Sequence, residues 1–520
     1  MSDTLKILQL RLDGLAETMQ QTLLRCAVSP VVREGADASC ALFSPRGEVL
    51  ALAEAIPLLL GALPGSVRAI LDAYPAETMQ PGDIFVTNDP FSGGTHLPDI
   101  AVVQPVFAEA RLVALSASLL HHQDIGSTRA GSVPPDATEI FHEGLRLPPL
   151  QAGRAGRFDP AFERLIRAAS RVPDVVVGDL ETQLAAGFRA AEGVRRLAGE
   201  AGAESFLAAC DAMLDRAEAA TVARLSELPA GPFAGEDELD PVAGLGPCAA
   251  RVSLRFEAGR MIADFHGSSP QVAAPVNCVR SGPLSATFYG LLTLLDDGAL
   301  RNGGVLRCLD LRLPEASVVN AAPPAAVNAR MNMVRCITSA LLQALAHADG
   351  ARMPAANSGM SYVIAFSGTD DAGQRFLSTE IVAGGAGGGP RADGCSAIST
   401  DVGNAMNISA EALESLVPMR LLSAEIRRGS GGPGQFRGGD GAKRVYEALT
   451  DGIAASIRGE RFSRVAQGAH GGVAPKGSAV TVLRVDGGRE ELTARSAITL
   501  NRGDRVVIES SGGAGYGPPA

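Results

Sequence analysis

Two apolar runs, DIAVVQPVF at 99–107 and RLVALSASLL at 111–120, flank Ala108-Glu109-Ala110. Each has the length and the Val/Leu content of a strand, and three residues between them suffice for a hairpin. An antiparallel hairpin of 100–107 with 111–120 places the start of the first strand beside the end of the second. Its midpoint falls near residue 109, where the turn signal sits. The residues at that joined end are polar: His96 and Asp99 stand at the entrance to the first strand, and His121 follows the second. Pro105 inside the first strand predicts an edge position or a bulge, because proline has no N–H to give the ladder.

Two imidazoles and a carboxylate make an open nitrogen/oxygen set that suits Mn, Fe or Zn and leaves positions free. The preceding strand, DIFVTND, brings Asp89 toward the same end, and Asp124 follows His121 by three residues. Either carboxylate is a candidate base, and Asp124 alternatively a partner that orients a ligand. Successive strand residues point to opposite faces, so one of His121 and His122 is expected to ligate; spacing alone does not choose. The same H-x-x-D spacing also fits a simple hydrogen-bonded turn. His142, His266, His347 and His470 are isolated and read as packing or surface residues.

The rest of the chain predicts an α+β, multi-layer mixed fold. Leu5, Leu8, Leu12, Leu15 and Met19 recur at helical spacing over 3–27. SCALFSPRGEVLALA reads as a hairpin around Pro45-Arg46-Gly47. Residues 159–228 turn rich in Ala, Leu, Arg and Glu, as two or three helices would be. ARVSLRFEAGRMIADFHG reads as a hairpin at Gly259, and the second half of VNARMNMVRCITSALLQALAHA as a helix. Beyond 380 the chain becomes Gly-rich and β-rich. The expected organisation is an α+β part over 1–158 carrying the metal motif, a helical segment over 159–248, a mixed α/β part over 249–380, and a Gly-rich β part over 381–520.

Composition excludes several classes. A net charge of -11 argues against nonspecific nucleic-acid binding. The start, MSDTLKILQLRLDG, lacks signal-peptide features, and the apolar stretch 55–63 is too short to span a bilayer, so a cytoplasmic location is expected. The eight cysteines form no C-x-x-C pair and read as reduced thiols, with Cys40 in the core. GGAGGGPRADG at 384–394 lacks the G-K-[ST] of a P-loop and the context of a dinucleotide fingerprint. It and RRGSGGPGQFRGGDG at 427–441 fit tight-turn scaffolding better than phosphate contact. No G-x-S-x-G elbow appears.

Several ordered segments, ADASCALFSPRGEVLA, GDIFVTNDPFSGGTHLPDIAVVQPVF, HHQDIGS, GSVPPDATEIFHEGLRLPP, VGDLETQLAA, NAAPPAAVNA, SGGPGQFRGGDG and GGAGYG among them, resemble the hydantoinase B family along essentially the whole chain. That family comprises B components of ATP-dependent hydantoinases, oxoprolinases, lactamases and ketone carboxylases. The resemblance implies a divalent metal on His96, Asp99 and His121. It also implies a hydantoinase A type ATPase partner, which supplies ATP and Mg and phosphorylates a small cyclic amide or ketone. A cyclic-amide hydrolase is the leading expectation; a ketone carboxylase component and a noncatalytic scaffold for the ATPase are the alternatives. Two departures bear on the pocket. Ala55 and Leu59 stand near where relatives carry histidines, and His266 stands where relatives commonly have Ser or Thr, so a more apolar pocket is expected.

Overall fold

The computed structural model describes residues 2–54, 56–132, 134–242, 244–295, 301–350 and 352–519. In it the central hairpin forms with its ladder centred near residue 110 instead of 109, so that Asp99 and not residues 97–98 stands opposite His121. Its sheet is built from β1 (Ala38–Phe43), β2 (Val49–Leu52), β3 (Ile84–Thr87), β4 (Asp99–Ala108), β5 (Arg111–His121), β6 (Leu150–Arg154) and β7 (Arg157–Phe158), in the order β2-β1-β5-β4-β3-β6-β7. β4 and β5 pair from Asp99 opposite His121 to Ala108 opposite Arg111. The turn is the two residues Glu109 and Ala110, both with left-handed φ (51° and 60°), a twist that matches the flanking strands. Of the two readings of Pro105, the bulge holds: β4 lies between β5 and β3, and the ladder shifts between Val106 and Phe107. β3 pairs with β4 only at Ala101–Val103, so no ladder partner on that side lacks a donor at Pro105.

Both faces of this sheet are covered, which is why its strands read as near-continuous apolar runs. Helix α1 (Ser2–Cys26) buries Leu12, Met19 and Leu23 against Val113 and Leu120 on one face. The short helix α2 (Pro30–Arg33) follows it, and α3 (Leu59–Ala73) lies on the opposite face with Ala101, Val103, Leu115, Ala117 and Leu119. The helical segment resolves into α4 (Pro160–Ala169), α5 (Pro173–Ala201) and α6 (Ala203–Leu225), of which α5 packs on β4 and β5. Asp159 caps α4 by accepting from Ala161 N at 2.7 Å.

A second sheet, in the order β11-β10-β9-β8, comprises β8 (Phe233–Glu238), β9 (Ala249–Glu257), β10 (Arg260–Asp264) and β11 (Leu309–Arg312). Between the two sheets run α7 (Ser281–Leu294) and α9 (Arg330–Ala348), with the single turn α8 (Gly303–Leu306) beside α6. Helix α9 occupies most of the segment expected to be helical only in its second half. β12 (Ser361–Thr369), β13 (Arg375–Ala383), β16 (Ile453–Arg458) and β19 (Arg495–Leu500) form a third sheet. It faces a fourth of β14 (Met419–Arg427), β15 (Gly441–Ala448), β17 (Ala479–Leu483), β18 (Arg489–Glu491) and β20 (Arg505–Glu509). Tyr362, Phe366, Tyr446, Val506 and Ile508 fill the space between them.

The glycine-rich runs pack on one another as extended backbone. Gly439 N donates to Ala386 O (2.7 Å), Gly513 N to Gly439 O (2.9 Å) and Gly432 N to Gly513 O (2.8 Å). Their amides therefore serve each other. A Cβ on Gly438 would sit 1.9 Å from Gly513 O, so glycine is required there by close approach. All eight cysteines are free, and Cys40 is buried beneath α1. No helix among the described residues is long and apolar enough to cross a membrane.

Candidate metal centre

Residues 88–98 form a braced loop that delivers His96 to the end of the hairpin. Asn88 holds it from inside, its Nδ2 donating to Leu97 O (2.7 Å) and Leu145 O (2.9 Å) while its Oδ1 accepts from Leu147 N (2.6 Å). Gly93 takes φ 104° where its backbone meets Gly65; a Cβ there would lie 2.3 Å from the Gly65 carbonyl carbon. Asp99 N then closes a turn onto His96 O at 3.1 Å.

At this end His96, Asp99 and His121 converge, each offering one donor atom, the three lying within 4.8 Å of one another. His96 Nε2 is 2.9 Å from Asp99 Oδ1, His121 Nδ1 is 3.1 Å from the same oxygen, and the two nitrogens are 3.1 Å apart. Ring protons serve two edges of such a triangle; on the third, lone pairs or protons oppose each other. Bonds of about 2.1 Å at right angles place neighbouring donors about 3.0 Å apart, so the triangle matches one face of a metal's coordination shell.

Electrostatics support the same fit. Burial, reinforced by the Arg330 charge, lowers the His96 pKa to about 3, so the ring is neutral at physiological pH, as ligation requires. Burial alone would push Asp99 up, but the Arg330 guanidinium and the hydrogen bonds from His121 and His96 hold it well below the usual carboxylate range. Its Oδ2 accepts from Arg330 Nη2 at 2.7 Å and from the Thr95 hydroxyl, leaving Oδ1 to the imidazoles. His96 Nδ1 lies 3.2 Å from Asn328 O and 2.9 Å from Arg330 Nη1. The two neighbours select opposite tautomers. Donation to Asn328 O frees Nε2 for a metal, the usual orientation of a ligating histidine.

The other expected residues are placed elsewhere. His122 points to the opposite face, where its Nε2 meets Gln183 Oε1 of α5 at 3.2 Å. The Asp89 carboxylate accepts from Phe91 N (3.1 Å) and Ser92 Oγ (3.2 Å) and lies 3.4 Å from Arg146 Nε. Asp124 accepts from Gly126 N, Gly131 N and Arg171, pinning the loop after β5. Neither carboxylate is brought to the trio. His266 is exposed on Asp264 at 2.7 Å. Leu59 opens α3 as a core residue, and Ala55 lies outside the described residues.

A different carboxylate does reach the site. β1 pairs with β5, so Asp37 sits beside His121: the His121 N–H donates to Asp37 O at 3.1 Å, and the Asp37 carboxylate is 3.9 Å from His121 Nδ1. Burial raises its pKa. Asp37, His96 and His121 open onto a cavity between the hairpin end, the start of α9 and the third sheet. Ile56, Leu58, Met331, Val363 and Ile381 supply an apolar wall, and Arg330, Arg335 and Arg458 supply charge. Asp37 belongs to a separate hairpin in the sequence, and the arginines lie more than 200 residues downstream, so no local spacing pointed to them.

The family model for hydantoinase B/oxoprolinase matches residues 2–519. The 5-oxoprolinase PfmaA of Pestalotiopsis fici is 30% identical over 98% of this chain, which spans only 41% of that protein. The B component of a putative D-/L-hydantoinase from Pseudomonas sp. strain NS671 is 29% identical, with 86% of this chain and 78% of that one covered. Among solved structures, an ATP-dependent caprolactamase from Pseudomonas jessenii superimposes with a TM-score of 0.90 at 26% identity, covering 100% of this chain and 91% of that chain.

Proposed function

The chain belongs to the hydantoinase B/oxoprolinase family, and from that premise we propose that it is the B component of an ATP-dependent cyclic-amide hydrolase of the hydantoinase, oxoprolinase or lactamase kind. The observation that carries this reading is the trio of His96, Asp99 and His121, whose two imidazoles open onto a cavity with one apolar wall. A ring of hydrocarbon and amide needs both parts: apolar side chains to hold the methylenes, and polar groups at the carbonyl.

Cyclic amides resist water because resonance from nitrogen quenches the carbonyl. A partner ATPase of the hydantoinase A type would phosphorylate the amide oxygen and remove that resonance. One relative is named as a single component of a hydantoinase, which supports a partner, and one structural neighbour is an ATP-dependent caprolactamase, which supports a nucleotide. His96, Asp99 and His121 would hold a divalent Mn, Zn or Fe ion, which supplies Lewis acidity and a water of lowered pKa. Donation from His96 Nδ1 to Asn328 O would give His96 the ligating tautomer, and Arg330 fixes Asp99 by its outer oxygen. We assign proton acceptance from the attacking water to Asp37 rather than to Asp89 or Asp124, because Asp37 lines the cavity and burial makes its carboxylate more basic.

The test is turnover by the chain co-purified with its ATPase partner, on hydantoin, 5-oxoproline and caprolactam. Ring opening is expected only with ATP and partner present, and His96→Ala is expected to abolish it along with bound metal. Full activity in His96→Ala would point to a scaffold. Bicarbonate-dependent carboxylation of a ketone without ring opening would point to a carboxylase.

A further inference from the structure

Three guanidinium groups line the cavity, and among the described residues only Arg330 has a carboxylate in direct contact. Arg330 pairs with Asp99. Arg335 and Arg458 are 1% and 6% exposed, yet among the described residues neither lies within 4.0 Å of a carboxylate oxygen. Arg335 Nη1 donates to Met360 O at 2.8 Å, and Arg458 Nη1 donates to Asn328 Oδ1. The Nε atoms of both are buried without any partner. A buried guanidinium with unused donors and no carboxylate in contact is costly unless a ligand completes it, and its planar fork matches the oxygens of a carboxylate or phosphate.

No acidic group among the described residues touches either guanidinium, though Asp401 attracts Arg335 through space. Asp401 is held by Asn357 Nδ2 at 2.6 Å and by the Thr400 hydroxyl. Glu143, which accepts from Val327 N and Asn328 N, is pushed up to about 8 by burial and so carries little charge at neutral pH. Glu460 is engaged by Arg495 and Asn332. Asp37, Asp99 and Asp401 together offset the three arginines, and a divalent cation on the trio would make the balance positive.

We propose that Arg335 and Arg458 form an oxyanion subsite in the cavity that also holds the trio, so that the substrate brought there carries a carboxylate or a phosphoryl group beside its ring. This rests on the cavity being the reaction site. A carboxylate would belong to the substrate itself; a phosphoryl group would arrive by ATP-dependent phosphorylation. The subsite is thus a specificity element, selecting anionic over neutral cyclic amides or activated over unactivated ones.

Titration calorimetry of the full chain, in chelator and chloride buffer, with inorganic phosphate and separately with acetate tests this without turnover. Saturable binding of at least one ion is expected, with affinity weakened about tenfold or more in Arg335→Gln and in Arg458→Gln. Tighter phosphate binding supports the activated substrate, and tighter acetate binding a carboxylate-bearing one. If a Gln variant does not fold, Arg458→Lys decides: it keeps the charge but loses the fork, and weakened binding is expected. No saturable binding by the wild type, or unchanged affinity in folded variants, overturns the proposal. Ring opening without anion binding would remove the subsite and leave the hydrolase reading intact. Anion binding by a chain that opens no ring with ATP and partner would do the reverse.

Discussion

Asp99→Asn is the substitution whose consequence the structure specifies most fully. Asn has nearly the same shape, so packing is unchanged and the effect is electrostatic. The carboxylate is 1% exposed and its partner Arg330 is 7% exposed, so neither charge can turn to water. Asn either aims its amide N–H at Arg330 or aims it at the imidazoles and offers Arg330 a neutral oxygen. In both cases a buried guanidinium loses the one carboxylate in contact with it among the described residues, which costs about 3–5 kcal/mol. For 520 residues, an unfolding entropy of roughly 1.1 kcal/mol/K converts that to a midpoint lowered by about 3–5 °C, if the chain melts as one unit. The assay is thermal unfolding by circular dichroism with chelator present, repeated with excess Mn or Zn. Metal should raise the wild-type midpoint and leave the variant's where it was. A drop smaller than about 1 °C in chelator would show that Asp99 does not compensate Arg330. Equal stabilisation by metal in both proteins would show that Asp99 is not a ligand.

Three further outcomes are expected. Metal content measured by mass spectrometry should collapse in His121→Gln and stay at the wild-type level in His122→Gln, because His122 faces Gln183 across the sheet. Glu143 has a folded pKa of about 8 against an ordinary 4.5, so the native state binds its proton over that interval. Stability from this group is full below pH 4.5 and falls as pH rises toward 8, and Glu143→Gln should remove the dependence. The variant's midpoint relative to wild type should then rise by about 2 °C or more between pH 5 and pH 8. Gly438→Ala should yield little soluble protein, since its Cβ meets the Gly513 carbonyl; soluble expression at the wild-type level would refute the close-packed account of the glycine runs.

What was legible in the sequence was local. Strand length, apolar content and a short interruption set the β4–β5 hairpin to within one or two residues of its register, which is enough to bring His96, Asp99 and His121 to one end. His96 is three residues from Asp99, so the trio needs no distant contact to assemble. The helical spacing of Leu12 and Met19, the hairpin at Gly259 and the helices of 160–225 follow from the same kind of short-range pattern. Residue type also set the chemistry, since two imidazoles and a carboxylate favour a borderline metal wherever they meet.

The tertiary structure decided what surrounds that trio. Asp37 arrives because β1 pairs with β5, a contact between strands about 80 residues apart that no spacing rule announces. Arg330 and Asn328 arrive on and before α9, and Arg458 at the end of β16, through the docking of whole layers. Asp89 and Asp124 were near enough in sequence to suggest catalysis, yet local amides and arginines claimed them, because short loops satisfy their own buried donors first. The periodicity that writes a strand or a helix repeats within a few residues. The choice of which faces meet is made by mutual burial of surfaces drawn from the whole chain, and the charged lining of the cavity exists only once those surfaces have met.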